Sequence, residues 1–268
     1  MKRLLKTGLS LVTLKKTLGF GNFFAATKFD FHISQPKLEF KNVLILSPHP
    51  DDDAFGVGGT IKKMTTAGAK VTVAYFCDGS GGVKEGRPPA EELGGLPHRD
   101  ENLIAVRKKE SEEAAKILGI NELIFWGYPD GKLASGTSVI RALQDLIGRK
   151  NPDIIFLPSF LDNHGDHRVV NEIFINACQN LEEIKNTEIW AYEIWTPIYV
   201  NRLVDISLYI KTKQEAMKTH KSQLEARGYD KAVVGLNQYR AEINKVSGFA
   251  EGFFTAPFEL YKELYKKS

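Results

Sequence analysis

Two short clusters of histidine and aspartate contain the residue types of a metal site. The first occupies residues 49–53, His-Pro-Asp-Asp-Asp, and the second occupies residues 163–167, Asn-His-Gly-Asp-His. Three adjacent carboxylates repel one another unless a positive charge compensates them, and imidazole with carboxylate is a common ligand set for zinc. The clusters therefore predict a site for a divalent cation, with zinc as the first choice and other divalent metals as alternatives.

The spacing within the clusters suggests separate roles. His49 and Asp52 are three residues apart and can converge from one turn, while His167 can add a third ligand from the second cluster. Two nitrogens and one oxygen leave a fourth coordination position for water, as in catalytic zinc sites. Asp51, beside these ligands, is placed to act as a general base. The set predicts metal-assisted amide hydrolysis at one zinc ion per chain.

The second cluster also supplies a candidate proton donor. His164 is placed to polarise the amide carbonyl or to protonate the leaving amine. We expect Asp166 to fix the tautomer and charge of His164.

Apolar runs and helical spacing alternate along the chain and predict how these clusters are positioned. Runs rich in β-branched or aromatic residues predict buried strands, and the stretches between them have helical periodicity. Such alternation predicts an α/β fold, a Rossmann-like and mostly parallel sheet with helices on both faces. The two clusters directly follow the first and fourth predicted strands, so they should meet at the carboxyl edge of the sheet. The predicted strands are 43–46, 71–76, 123–126 and 154–157, and the predicted helices are 58–67, 103–118 and 138–148.

The remaining segments predict loops near the site and a further C-terminal part of the same domain. Segments 79–99 and 128–137 follow predicted strands and should form loops at the rim of the ligand crevice. Beyond residue 189, the chain predicts strand-like pieces at 190–195 and 203–210 and then a helix at 212–226.

Composition excludes several classes of protein. With 43% hydrophobic and 26% charged residues in 268, the chain is typical of a globular protein, and a net charge of +3 is too small to indicate a nucleic-acid partner. Cys77 and Cys178 match neither a metal-binding spacing nor a disulfide framework, which favours a reducing, cytoplasmic compartment. Nothing in the composition predicts an oligomeric state.

The first forty residues are basic and amphipathic. They contain neither the unbroken apolar run of a signal peptide nor a membrane-spanning segment. We expect residues 1–40 to be an extension whose helix packs on the domain, with weak contact to a membrane surface as the alternative. Residues 41–268 should form a single domain.

The two clusters resemble the motifs of the PIG-L or LmbE-like deacetylases, a family that includes N-acetylglucosaminyl-phosphatidylinositol deacetylase. The resemblance rests on residues 49–52 and 164–167 and extends over roughly residues 42–254. It implies a zinc-dependent enzyme that removes an acetyl group from a small N-acetylated sugar or glycoconjugate. It also implies zinc ligands at His49, Asp52 and His167, a base at Asp51, an accompanying pair at His164 and Asp166, and a substrate contact at Arg107.

Two of these positions need comment. Arg107 has an alternative interpretation as part of a solvated helix face, because Lys108, Lys109 and Glu110 follow it. Asp53 stands where many members of the family have glutamate. We assign Asp53 neither the metal nor the base and expect a helix N-terminal carboxylate stabilised by the helix dipole.

Other functions remain as alternatives. An amidase acting on a larger N-acyl substrate would use the same metal chemistry, since only the pocket selects the acyl group. A non-catalytic nucleotide- or sugar-binding module is the alternative from a different class, because Gly56, Gly58 and Gly59 follow the first predicted strand. Their spacing differs from the Gly-x-Gly-x-x-Gly pattern of dinucleotide binding.

A few further residues carry weaker signals. We expect His220 to pack or cap a helix rather than to bind metal. Aromatic residues in strands usually belong to the core, so we expect core positions rather than sugar stacking for Trp190, Tyr192, Trp195 and Tyr199.

Overall fold

The computed structural model describes residues 33–82, 100–225 and 228–268. A seven-stranded sheet lies at its centre. The strands are β1 (Asn42–Ser47), β2 (Lys70–Cys77), β3 (Glu122–Tyr128), β4 (Ile154–Pro158), β5 (Glu188–Tyr192), β6 (Arg202–Asp205) and β7 (Ala250–Thr255). The helices of the described chain are α1 (Asp52–Thr66), α2 (Glu101–Leu118), α3 (Thr137–Lys150), α4 (Gly165–Cys178), α5 (Ile210–Met217), α6 (Lys221–Leu224), α7 (Tyr229–Ile243) and α8 (Phe258–Lys267).

The strand order is β3-β2-β1-β4-β5-β7-β6. Strands β1 to β5 are mutually parallel, whereas β7 runs antiparallel to both β5 and β6. The chain therefore places β2 and β3 on one side of β1. It then crosses over and adds β4 to β7 on the other side of β1. The predicted α/β, Rossmann-like fold is confirmed, and β1 and β4 flank the switch point where such sheets bind ligands.

Alternating side chains of the central strands feed two hydrophobic cores, one on each face of the sheet. Leu44 and Leu46 of β1 belong to the core that includes Phe174 of α4, whereas Val43 and Ile45 belong to the opposite core. Because both faces are covered, β1 is apolar along almost its whole length instead of alternating with polar residues.

A buried ion pair fixes α1, the helix that follows the first cluster. Lys213 Nζ lies 2.6 Å from Glu251 Oε1, and the two side chains are 0% and 1% exposed. The Glu251 carboxylate also accepts hydrogen bonds from the backbone N–H groups of Gly59 and Thr60. Helix α1 is thereby tied to β7 and to α5.

All four predicted parallel strands are present, but two C-terminal predictions are wrong. The predicted strand at 203–210 ends at Asp205, and the predicted helix at 212–226 is divided into α5 and α6. The division has a tertiary cause, because Glu110 of α2 accepts hydrogen bonds from both the backbone N–H and the hydroxyl of Ser222. This contact fixes the start of α6.

Several predicted segments lie wholly or partly outside the described residues. They include residues 1–32 of the predicted extension and residues 83–99 of the first predicted loop. Ser34 forms a bridge with Arg202, so the chain runs beside β6 before it enters β1. In the described part of the chain, no helix has the length and apolar character needed to cross a membrane.

Candidate active site

The first cluster forms a tight turn between β1 and α1. The Ser47 hydroxyl donates to the carbonyl of His49 at 2.9 Å, and the backbone N–H of His49 donates to Asp52 Oδ2 at 2.8 Å. Asp52 is the first residue of α1, so its carboxylate also lies at the positive end of the helix dipole. The turn thus brings the side chains of His49 and Asp52 onto the same side.

Helix α4 brings His167 to the same point from the end of β4. His49 Nδ1 lies 3.1 Å from Asp52 Oδ2, and His167 Nε2 lies 3.3 Å from that oxygen and 3.4 Å from His49 Nδ1. The three residues are 6%, 4% and 0% exposed, in the order His49, Asp52 and His167. Two loops more than a hundred residues apart therefore converge on one buried centre.

The outer nitrogen of each imidazole faces carboxylates. His49 Nε2 lies 2.7 Å from Asp130 Oδ1 and 3.1 Å from Asp166 Oδ2, and His167 Nδ1 lies 3.4 Å from Asp162 Oδ1. A carboxylate at the outer nitrogen holds the imidazole proton there and leaves the inner nitrogen free as a ligand. Both inner nitrogens point toward Asp52.

This arrangement fits a zinc ion. Tetrahedral zinc with bonds of about 2.0–2.2 Å places its ligand atoms about 3.3–3.6 Å apart. The separations of 3.1–3.4 Å between His49 Nδ1, Asp52 Oδ2 and His167 Nε2 are close to that range. Two nitrogens and one carboxylate oxygen are also ordinary zinc donors, so the side chains suit the ion in both chemistry and spacing.

Charges in the centre stabilise one another strongly. Burial alone lowers the pKa of His49, but the negative charge of Asp130 raises it well above its usual value. Burial alone raises the pKa of Asp52, but His167 brings it well below the usual range for aspartate. The buried charges of the centre therefore depend on one another.

Asp51 lies beside the centre and is paired with Arg107. Arg107 Nη2 lies 3.0 Å from Asp51 Oδ1, and Nη1 donates to the carbonyl of Gly79 at 3.0 Å. Arg107 is only 3% exposed, which excludes the alternative of a solvated helix face. Burial raises the pKa of Asp51, and the Arg107 charge opposes that shift.

His164 caps the N-terminus of α4. Its Nδ1 accepts a hydrogen bond from the backbone N–H of Asp166 at 3.2 Å, which leaves the proton of a neutral ring on Nε2. Burial, and then the neighbouring His49 and His167, lower the pKa of His164. The ring therefore favours the neutral form at neutral pH, with Nε2–H as a donor.

Asp166 meets His164 through its backbone N–H, which fixes the His164 tautomer as expected, whereas its carboxylate hydrogen-bonds elsewhere. Asp166 Oδ2 lies 3.1 Å from His49 Nε2 and accepts a hydrogen bond from the backbone N–H of Gly131. The reason is that the first turn of α4 presents the Asp166 backbone to His164 and turns its side chain toward His49. Asp166 thus supports the other imidazole.

Two carboxylates that sequence reasoning missed complete the surroundings of the centre. Asp130 contacts His49 and, at 3.7 Å, the Arg107 guanidinium, and it accepts from the backbone N–H of Gly81. Asp162 accepts hydrogen bonds from the backbone N–H groups of His164 and Trp195, which fixes the loop after β4. The only sequence signal was their position just after predicted strands.

Several buried polar side-chain atoms near the centre have no hydrogen-bond partner among the described residues. They include both carboxyl oxygens of Asp53 and both ring nitrogens of His220. Burial raises the pKa of Asp53 to about 7 and lowers that of His220 to about 3. His220 packs at 5.9 Å from the ring of Phe55, which agrees with its expected packing role.

The glycines that suggested nucleotide binding instead allow close packing of a helix. Gly56 and Gly59 lie within α1, where an added Cβ would come within 2.6 Å of Tyr192 and 2.7 Å of Ile206. These glycines let α1 approach its neighbours closely and do not form a phosphate-binding loop. The structure therefore offers no support for that alternative.

A cavity of about 550 Å³ opens beside the centre. Its polar lining includes Asp51, Arg107 and His164, and its other lining includes Trp195, which is 44% exposed. The predicted core position is correct for Trp190 and Tyr192, which are fully buried, but wrong for Trp195 and for the 40% exposed Tyr199. These two follow β5 in a loop rather than lying in a strand.

The fold is that of solved deacetylases. The structure of N,N'-diacetylchitobiose deacetylase from Pyrococcus horikoshii, complexed with its inhibitor MPG, matches with a TM-score of 0.71 and 26% identity over 89% of this chain and 91% of that chain. In sequence, diacetylchitobiose deacetylase of Thermococcus kodakarensis is 30% identical over 248 residues, which cover 86% of this chain and 89% of that protein.

The same relationship appears in a bacterial relative and a family model. A Bacillus anthracis protein named "probable N-acetyl-alpha-D-glucosaminyl L-malate deacetylase 2" is 31% identical over 70% of this chain and 83% of its own length. The family model of PIG-L, described as GlcNAc-PI de-N-acetylase, matches residues 44–178, which include both histidine–aspartate clusters. The chain belongs to the PIG-L family of deacetylases.

Proposed function

We propose that this chain is a zinc-dependent hydrolase that removes the acetyl group from an N-acetylated amino sugar or glycoconjugate. The observation that carries the proposal is the convergence of His49 Nδ1, Asp52 Oδ2 and His167 Nε2 within 3.1–3.4 Å of one another beside an open cavity. The names of the relatives support the substrate class, since they describe deacetylases of N-acetylated sugars.

His49, Asp52 and His167 would hold the ion. When bound, zinc supplies a Lewis acid and lowers the pKa of a coordinated water toward neutrality. Asp51 lines the same cavity without belonging to the ligand set, and we assign it the role of general base. Its ion pair with Arg107 fixes one carboxylate oxygen and leaves the other free to accept a proton.

His164 would act on the carbonyl oxygen of the substrate. Because its Nδ1 accepts from the backbone and its pKa is lowered by burial, the neutral ring presents Nε2–H as a hydrogen-bond donor. A fixed donor beside the reacting carbonyl stabilises the negative charge that develops on its oxygen. The proton held by Asp51 then has a route to the leaving amine within the same cavity.

Asp166, Asp130 and Arg107 would position these groups. Asp166 and Asp130 hold the outer nitrogen of His49, while Arg107 holds Asp51 and also lines the cavity. We retain Arg107 as a proposed substrate contact, since it lines the cavity in which a sugar would lie.

The test is acetate release. Zinc-loaded protein should release acetate from one or more members of a panel of N-acetylated sugars and glycoconjugates, and a chelator should abolish the reaction until zinc is restored. Asp51→Asn in the same preparation distinguishes enzyme from contaminant, because contaminating activity would persist. Release of only longer acyl groups would favour the amidase alternative, and zinc binding without any acyl release would contradict the proposal.

A further inference from the structure

The cavity has two walls of different chemistry. Polar and charged side chains, such as Asp51, Arg107 and His164, lie on the side of the metal centre. The other wall is formed by the loop after β5 and by α7. Its described members are Ile194, Trp195, Pro197, Tyr229, Ala232, Val233 and Leu236.

Helix α7 supplies this wall through an apolar stripe. Tyr229, Ala232, Val233 and Leu236 follow the i, i+3, i+4, i+7 spacing of one helix face. Only Asn237 and Ala241 of α7 are fully buried, and neither Ala232 nor Leu236 belongs to the two cores of the described residues. Part of the stripe therefore faces the cavity and is not used to stabilise the fold.

The aromatic part of the wall is joined to the catalytic centre. The Trp195 indole stacks on the His164 ring, with 6.4 Å between the ring centroids. The Tyr229 ring packs edge-on against the Trp195 indole, with 4.9 Å between the centroids. The Trp195 backbone N–H donates to Asp162, whose other oxygen lies 3.4 Å from His167 Nδ1. A substrate held at His164 would thus extend directly onto this wall.

We propose that the wall binds an apolar aglycone, an alkyl or aryl group attached to the N-acetylated sugar. This inference rests on the proposed function and specifies its substrate class. A second sugar ring fits less well, because the only polar side-chain groups of the described wall residues are the Trp195 indole N–H and the Tyr229 hydroxyl. Hydroxyl groups buried without partners oppose binding, whereas apolar groups gain from burial.

The experiment compares three N-acetyl-β-glucosaminides: methyl, hexyl, and the disaccharide N,N'-diacetylchitobiose. Acetate release is measured with zinc-loaded protein, below concentrations at which the hexyl glycoside forms micelles. We expect kcat/KM for the hexyl glycoside to exceed the values for both other compounds by ~10-fold or more, because each methylene group buried in an apolar pocket raises kcat/KM.

A matched pair of variants on α7 locates the effect. Leu236→Gln should lower the hexyl-to-methyl ratio of kcat/KM by about fivefold or more, because it makes the wall polar. Ile243→Gln makes the same kind of change on the same helix at a side chain that is 64% exposed and lies outside the cavity lining, so it should leave the ratio unchanged. Calorimetry with the deacetylated products, hexyl and methyl glucosaminide, gives a second readout that does not require turnover, and hexyl glucosaminide should bind more tightly.

The outcomes separate the two proposals. Equal kcat/KM for all three compounds, or a preference for the disaccharide, overturns the apolar aglycone and leaves the deacetylase function standing. An unchanged ratio in Leu236→Gln does the same. Absence of acetate release from every compound contradicts the proposed function, while tighter binding of hexyl glucosaminide in that case would still support an apolar subsite.

Discussion

Replacing His220 by leucine should remove one defined contribution to the acid sensitivity of this protein. The His220 side chain is fully buried, and neither ring nitrogen has a hydrogen-bond partner among the described residues. Burial, followed by the charge of Arg107, lowers its pKa from 6.5 to about 3. Between those values the unfolded chain binds a proton that the native protein does not. The stability associated with neutral His220 is therefore complete above pH 6.5 and is lost progressively as the pH falls toward 3.

The magnitude follows from the width of that interval. Each pH unit below the unfolded pKa lowers the free energy of unfolding by about 1.4 kcal/mol. At pH 4.5, two units below, the loss from His220 alone is about 3 kcal/mol. Leucine is similar in volume and cannot titrate, so His220→Leu should lack this contribution.

Urea unfolding of metal-free protein at pH 7.5 and pH 4.5 provides the assay. The fall in unfolding free energy between the two pH values should be smaller in His220→Leu than in wild type by about 3 kcal/mol. The comparison at pH 7.5 is the internal control, because His220 is neutral there in both states and any difference reports packing alone. Equal falls in the two proteins would refute the reasoning, since they would mean that the native protein protonates His220 as readily as the unfolded chain.

Three further substitutions have distinct expected results. Asp51→Asn should reduce kcat by ~10²–10⁴ while leaving zinc content unchanged, and Asp53→Asn, two residues away, should reduce kcat much less. Asp130→Ala should weaken zinc binding by ~10–100-fold in a chelator competition, because His49 loses a carboxylate that orients it. Lys213→Met should lower the free energy of unfolding in urea by ~3–5 kcal/mol, because it leaves Glu251 buried and unpaired.

For each of these substitutions, a specific result would contradict the prediction. Wild-type turnover in Asp51→Asn would remove that residue from the chemistry, and equal losses in Asp51→Asn and Asp53→Asn would indicate a shared structural effect. Unaltered zinc affinity in Asp130→Ala would leave Asp166 as the sole support of His49 Nε2. If Lys213→Met is as stable as wild type, the buried ion pair does not hold α1 in place.

The convergence of the two clusters could be predicted because it follows from topology. His49 comes directly after β1 and His167 lies in the helix after β4, and neighbouring parallel strands bring their carboxyl ends together. Contiguous motif residues also carry their own spacing, so the sequence alone could suggest which residues would hold the proposed ion. The family resemblance gave the same residues independently.

The supporting carboxylates could not be predicted in the same way. Asp130 lies between a proline and a glycine, a sequence typical of a simple turn, and nothing local shows that its side chain reaches His49. The partner of Asp166 depends on the rotation of α4, which is fixed by packing rather than by the order of residues. The division between α5 and α6 similarly depends on Glu110, which is distant in sequence.

The exposure of the aromatic residues in the cavity wall also could not be predicted from the sequence. Trp190 and Trp195 are five residues apart in one aromatic segment, yet one is fully buried and the other is 44% exposed. The difference arises because β5 ends at Tyr192, after which the chain turns along the cavity. Strand periodicity alone does not specify where that turn begins.

Zinc content is the most direct test of the central claim that residues from both clusters hold one ion. Elemental analysis should be made on wild type, Asp51→Asn and His167→Ala after loading with zinc and exhaustive dialysis. We expect one zinc per chain in wild type and in Asp51→Asn, and essentially none in His167→Ala. Full zinc retention by His167→Ala, or the absence of zinc from wild type, would contradict a centre built from His49, Asp52 and His167.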